Sequence, residues 1–106
     1  MKFLVTLRRR DGVPVPPDAV AAMLRAQIDW LEEKLSEGTF DVAYGFAQGA
    51  GGISIVNADT AEQLNDVLSE APLFPITHIE VVPLADVRTA LGNGAKAMQR
   101  TAAIPA

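Results

Sequence analysis

Apolar and polar residues alternate from Lys2 to Arg8. Phe3, Val5 and Leu7 fall on one side and Lys2, Leu4, Thr6 and Arg8 on the other, which predicts a half-buried strand. The following D-G-V-P-V-P-P-D is a turn-rich connection, and its last proline suits a first helical turn, where no amide partner is lost. From Pro17 to Glu37, Val20, Met23, Leu24, Ile28, Leu31 and Leu35 recur at spacings of three and four, with Arg25, Asp29, Glu32 and Glu33 off that stripe. This predicts an amphipathic helix closed by Gly38. T-F-D-V-A-Y-G-F-A-Q then predicts a second strand with Phe40, Val42, Tyr44 and Phe46 on one side, and G-A-G-G a hairpin turn into a third strand, G-I-S-I-V-N. Asp59 is placed to cap a second helix with Leu64, Val67 and Leu68 as its buried stripe. Pro72 stops that helix, and Ile76 to Leu84 forms the fourth strand.

The order strand, helix, strand, strand, helix, strand most simply folds as a ferredoxin-like α+β domain over residues 1–85: one four-stranded antiparallel sheet with both helices on one face. Residues 86–106 are alanine-rich with sparse large apolar groups and are expected to be a weak helix or mobile tail. Two helices cover only one sheet face. Placing Phe3, Val5, Leu7, Ile53, Ile55, Ile79 and Val81 against them leaves Leu4, Thr6, Arg8, Ser54, Val56, Ile76, His78, Glu80 and Val82 on the open face, joined by Phe40, Val42, Tyr44 and Phe46. So apolar a face calls for a cover, and a homodimer enclosing a mixed polar and apolar pocket is the expected one.

Composition narrows the chemistry. The chain has 106 residues, 49% hydrophobic and 21% charged, consistent with one soluble domain. With no cysteine, disulfides, thiolate metal sites and cysteine nucleophiles are excluded, in keeping with a cytoplasmic location. A net charge of -4 argues against binding nucleic acid through its phosphates, and Arg8-Arg9-Arg10 is expected to be a solvated turn. No stretch has the length or apolarity of a signal peptide or a membrane span. One histidine and scattered carboxylates make no metal set. G-A-G-G is followed by a strand and not a helix, so it is no phosphate loop, and Ser54 lacks a nucleophile elbow.

What remains is the open face. His78 and Glu80 are same-side neighbours about 7 Å apart along one strand. An imidazole beside a carboxylate can move protons near neutrality.

Three segments carry a family resemblance: S-E-G-T-F after the first helix, G-I-S-I-V-N-A-D-T-A-E-Q-L-N-D-V-L, and A-P-L-F-P-I-T-H-I-E-V-V-P-L. Over residues 1–84 the chain resembles muconolactone delta-isomerase and its relatives. The resemblance implies a ferredoxin-like protomer that dimerises into an α+β barrel and often assembles further, and cofactor-free proton transfer between carbons of an unsaturated lactone. Glu80 matches the family pattern. Position 78 is acidic there and histidine here, and Y-G-F-A-Q-G-A replaces bulkier polar residues of the kind W-R-I-A-G-H-Y.

The leading expectation is a cofactor-independent isomerase-like or cyclase-like enzyme acting on a small oxygenated metabolite. His78 is the proton shuttle, Glu80 orients it or shares the proton, and Tyr44 or Arg8 stabilises an enolate. Thr6, Arg8, Phe46 and Ser54 contact the substrate. The alternatives are a non-catalytic ligand-binding or assembly protein that uses the open face as its interface, and a cofactor-free monooxygenase of quinol-like substrates.

Overall fold

A computed structural model describes residues 1–103. Its elements are β1 (Lys2–Arg9), α1 (Pro17–Glu37), β2 (Phe40–Gly45), β3 (Gly51–Asn57), α2 (Ala61–Ser69), a 3₁₀ turn (Phe74–Ile76), β4 (Thr77–Leu84) and α3 (Val87–Ala103). The strands form one antiparallel sheet in the order β2-β3-β1-β4. This is the expected ferredoxin-like α+β arrangement.

Helix α1 begins with Pro17 in its first turn and ends at Gly38, whose φ of 81° is the left-handed conformation that glycine adopts without a Cβ clash. Helix α2 is capped one residue later than expected. Thr60, not Asp59, is its N-cap and accepts from Gln63 N–H at 3.1 Å, while Gln63 Oε1 accepts from Asp59 N–H at 2.6 Å. Gln63 is the third helical residue, the position from which a side chain reaches back to the turn before the helix.

Phe3 and Val5 of β1, Phe40 of β2, Val56 of β3, and Leu64 and Leu68 of α2 form the buried core, with Trp30 and Leu31 of α1 packed against it. Both α1 and α2 therefore lie on one sheet face. The pairing corrects three expectations about faces. Phe3 opposes Val56 and Val5 opposes Ser54, so Val56 and Ser54 face the helices, and Ile53 and Ile55 join Thr6 and Leu4 on the open face. In β3 the apolar residues Ile53, Ile55 and Val56 occupy both alternations, so its letters alone do not say which side is inward; the register against Phe3 decides. Phe40 also turns inward, because the β2–β3 register slips between Phe40 and Val42. The extra residue, Asp41, is a β-bulge that reverses the alternation, so Val42 and Tyr44 stay on the open face while Phe40 packs edge-on to Trp30, ring centroids 5.3 Å apart. Ile76 is buried in the 3₁₀ turn and not on the open side of β4.

The bulge is clamped. Lys2 Nζ donates to Asp41 and to Asn57 Oδ1, and Asn57 Nδ2 donates to Asp41 Oδ1 at 2.7 Å and to Gly38 O at 3.0 Å. The hydrogen bond from Lys2, then that from Asn57, holds the Asp41 carboxyl below its ordinary range.

After β4 the chain runs into α3, which starts with Asp86 Oδ2 accepting from Thr89 N–H at 3.0 Å. No residue of α3 is buried. The described chain measures 66 × 32 × 26 Å with a radius of gyration of 18.3 Å. A compact chain of this length has a radius of about 13 Å, and a 17-residue helix is about 26 Å long, so α3 projects from the body. No helix among the described residues is long and apolar enough to cross a membrane.

Candidate functional site

The sheet face beneath α1 carries little bulk. Ala43 and Gly45 of β2 oppose Ser54 and Gly52 of β3. Where larger residues would fill the space between helix and sheet, these leave a cavity of about 620 Å³. Val5, Leu7 and Ile79 extend its floor, Val20, Leu24, Gln27, Trp30 and Leu31 of α1 form its roof, and Leu73 and Ile76 close one end. A volume of this size, mostly apolar with a few polar groups, is what a small-molecule site offers.

Four polar side chains line it. Gln27 is buried, and its Oε1 accepts from Leu73 N–H at 3.1 Å, tying the middle of α1 to the segment that leads into β4. Its NH₂ makes no hydrogen bond to the described residues, nor does the Ser54 hydroxyl in the floor, so both can meet a ligand oxygen. Thr77 Oγ1 is already engaged, donating to Leu73 O at 2.9 Å. Arg9, on the same alternation as Val5 and Leu7, stands at the rim. Trp30 contributes its ring; its Nε1–H is buried without an acceptor among the described residues, so packing and not a hydrogen bond holds this wall. No carboxylate or imidazole is among the residues lining the cavity.

Of the residues singled out by sequence, Ser54 is in the cavity floor and Tyr44 borders the cavity from edge strand β2. The remaining five stand with Tyr44 on the open face, in two rows across the sheet. Tyr44 opposes Ile53, which opposes Thr6, which opposes Glu80. In the next row Arg8 opposes His78, and the Arg8 guanidinium lies over the Phe46 ring at 4.7 Å. His78 Nε2 is 3.5 Å from Glu80 Oε1, and their side chains are 61% and 67% exposed. The sheet separates this pair from the cavity, although His78 also borders a shallower depression between β4 and α2.

Sequence reasoning missed Gln27 and Arg9. Each left a signal: Gln27 is a polar residue inside the apolar stripe of α1, and Arg9 continues the inward alternation of Phe3, Val5 and Leu7.

Fold and cavity together define a class, that of ferredoxin-like α+β proteins with a ligand-sized chamber between helix and sheet. Within that class, the chain belongs to the muconolactone delta-isomerase family, whose sequence pattern matches residues 1–89. It is similar to the crystal structure of muconolactone isomerase, with 26% identity over 81% of this chain and 90% of that one and a TM-score of 0.73. A second similar structure is 5-chloro-2-hydroxyhydroquinone dehydrochlorinase from Burkholderia phenoliruptrix in complex with 2,5-dihydroxybenzoquinone. There the identity is 15%, over 84% of this chain and 98% of that one, and the TM-score of 0.63 speaks for the fold alone. No curated protein shows significant sequence similarity to the chain.

Proposed function

We propose that the chain is a cofactor-independent isomerase-like or cyclase-like enzyme that moves protons on a small unsaturated lactone or related oxygenated metabolite bound between α1 and the sheet. The carrying observation is the cavity itself, mostly apolar and lined by Gln27 and Ser54, whose NH₂ and hydroxyl make no hydrogen bond to the described residues. Removing a proton beside a carbonyl builds charge on the carbonyl oxygen. Donors fixed in an apolar chamber stabilise that charge more than water does, because they need not reorient. We assign the Gln27 amide and the Ser54 hydroxyl to that oxygen and Arg9 to an anionic group at the rim, while the Tyr44 phenol, on the open face, takes no part in this reading. A homodimer formed through the open sheet faces would cover Ile53, Ile55, Val82 and Tyr44 and leave the cavity within each protomer.

A second reading is favoured by the two polar rows on the open face. There His78 and Glu80 would pass the proton, with Thr6, Arg8 and Phe46 holding a substrate closed in by the partner's sheet.

Trp30 is the only tryptophan of the chain and lines the cavity, so quenching of its fluorescence by muconolactone reports occupancy, and incorporation of solvent deuterium into the lactone reports proton transfer. We expect Ser54→Ala to weaken binding about fivefold, the equivalent of one hydrogen bond of about 1 kcal/mol. Gln27→Leu should slow exchange at least tenfold, and Tyr44→Phe and His78→Gln, both on the open face, should change neither binding nor exchange. Loss of exchange in His78→Gln with Ser54→Ala unaffected would move the site to the open face. Binding without exchange in the unsubstituted protein would make it a ligand-binding protein and not an enzyme.

A further inference from the structure

The chamber lies between two surfaces of different texture. Its roof is α1, propped on large residues: Trp30 and Leu31 rest on the core that holds Phe3, Val5, Phe40 and Val56. Its floor is bare. Ala43 and Gly45 of β2 stand opposite Ser54 and Gly52 of β3, and none of the four carries a side chain longer than a hydroxymethyl group. At Gly52 no side chain can be added, because a Cβ would meet Tyr44 O at 2.3 Å. At Gly45 a Cβ would meet nothing nearer than Gly51 O at 3.9 Å, so the space there is open. A helix held at its usual height by large neighbours, over a patch without side chains, leaves a gap one side-chain layer deep. The gap is wide across the paired strands and shallow between helix and sheet, so the body that fills it is flat.

Volume sets the size of that body. At about 30 Å³ for each water of the liquid, the chamber's 620 Å³ is the space of about twenty waters. Part of this space lies at the exposed hairpin end, by Gly45 and Ala50. A single-ring lactone of roughly ten non-hydrogen atoms still fills only about half of the whole, and less if a bonded carbon is given less room than a free water. Polarity sets the chemistry. The Gln27 NH₂ in the roof, the Ser54 hydroxyl in the floor and Arg9 at the rim are all donors, and no carboxylate or imidazole lines the chamber. A ligand matched to them presents carbonyl oxygens along its body and an anionic oxygen at one edge.

We propose that the chamber takes a flat fused system of about two or three rings, a quinone or fused lactone bearing a carboxylate or similar anionic group at one edge, rather than a single-ring lactone. This rests on the reading of the chamber as the ligand site and narrows what enters it. The rings lie on Ala43, Gly45 and Gly52 beneath α1, the carbonyls meet Gln27 and Ser54, and the anionic edge meets Arg9.

Titration calorimetry of the full chain with four carboxylates separates size from shape. Muconolactone has a single ring, coumarin-3-carboxylate and anthraquinone-2-carboxylate have flat fused rings, and adamantane-1-carboxylate is globular and close in size to the coumarin. Anthraquinone-2-carboxylate should bind at least tenfold more tightly than muconolactone, because each added ring takes more apolar area out of water. The coumarin should fall between them, and the adamantane should bind at least tenfold more weakly than the coumarin. Ala43→Leu and Gly45→Leu raise the floor into the slot at two places, and each should weaken anthraquinone-2-carboxylate at least tenfold. Val42→Leu, on the open face, should leave it unchanged. Melting curves identify a floor variant that fails to fold, and the other then carries the comparison. Fused rings that bind no more tightly than muconolactone, an adamantane equal to the coumarin, or indifference to both floor substitutions would each overturn the proposal. If muconolactone still binds in a Ser54-dependent way, the ring system falls while the chamber stands as the site. If no ligand responds to Ser54→Ala or to the raised floor, the chamber reading falls as well.

Discussion

Replacing Gln27 with leucine removes the one polar tie that crosses the cavity. The substitution keeps the bulk and the helix propensity of the side chain, so the lost acceptor is the main change. Leu73 N–H, part-buried and bonded to Gln27 Oε1 at 3.1 Å, is then left without its partner. An orphaned buried donor costs about 1–3 kcal/mol. For a domain of this size each kcal/mol lowers the melting temperature by about 4–8 °C, so we expect a fall of roughly 4–24 °C, measured by circular dichroism. The effect should also be local. Amide hydrogen exchange at Leu73 should speed up more than at Val5 or Val56 in the sheet centre, because only Leu73 loses its acceptor. A melting temperature within about 2 °C of the parent, or unchanged exchange at Leu73, would refute the role given to Gln27. A collapse of protection across the whole sheet would show instead that α1 is held by this bond alone.

The clamp on the bulge predicts a pH dependence. Asp41 is held below its ordinary range by Lys2 and Asn57, so its stabilising effect is complete above the unfolded value of about 3.9 and fades as pH falls through the lower folded value. Melting temperature should therefore drop more steeply below about pH 4 in the parent than in Asp41→Asn, and parallel curves would refute the clamp. Gly52→Ala should destabilise by about 2 kcal/mol, because the added Cβ would meet Tyr44 O and Gly45 Cα, backbone atoms that cannot swing aside. An unchanged urea midpoint would show that β2 can move away from β3.

How much of this was legible in the sequence depends on how one-sided each pattern is. In β1 the large apolar residues Phe3, Val5 and Leu7 share one alternation, and the inward face was readable at once; in β4, Ile79 and Val81 gave the same answer. In β3, apolar residues stand on both alternations because both faces are covered or coverable, and the long-range register with β1 settles what local pattern leaves open. In β2 the alternation of Phe40, Val42, Tyr44 and Phe46 looks unbroken, yet Asp41 is an extra residue, which only the pairing with β3 reveals. The site was harder. Ala43 and Gly45 were readable as making room for the helices, and with Ser54 and Gly52 they leave part of that room open as a chamber. Ser54 was identified, on the wrong face; Gln27 was passed over because helical periodicity rewards apolar letters.

The bulge at Asp41 makes the two faces of the edge strand depend on backbone register as well as on composition. Flattening it with Asp41 still in the chain would return β2 to simple alternation from Phe40, sending Tyr44 beneath the helix and Ala43 to the outer surface with no side chain changed, whereas deleting Asp41 would keep both faces as they are. In this strand, chamber wall and outer contact surface are exchanged by the gain or loss of a bulge, a route to new specificity that leaves the composition of the strand untouched.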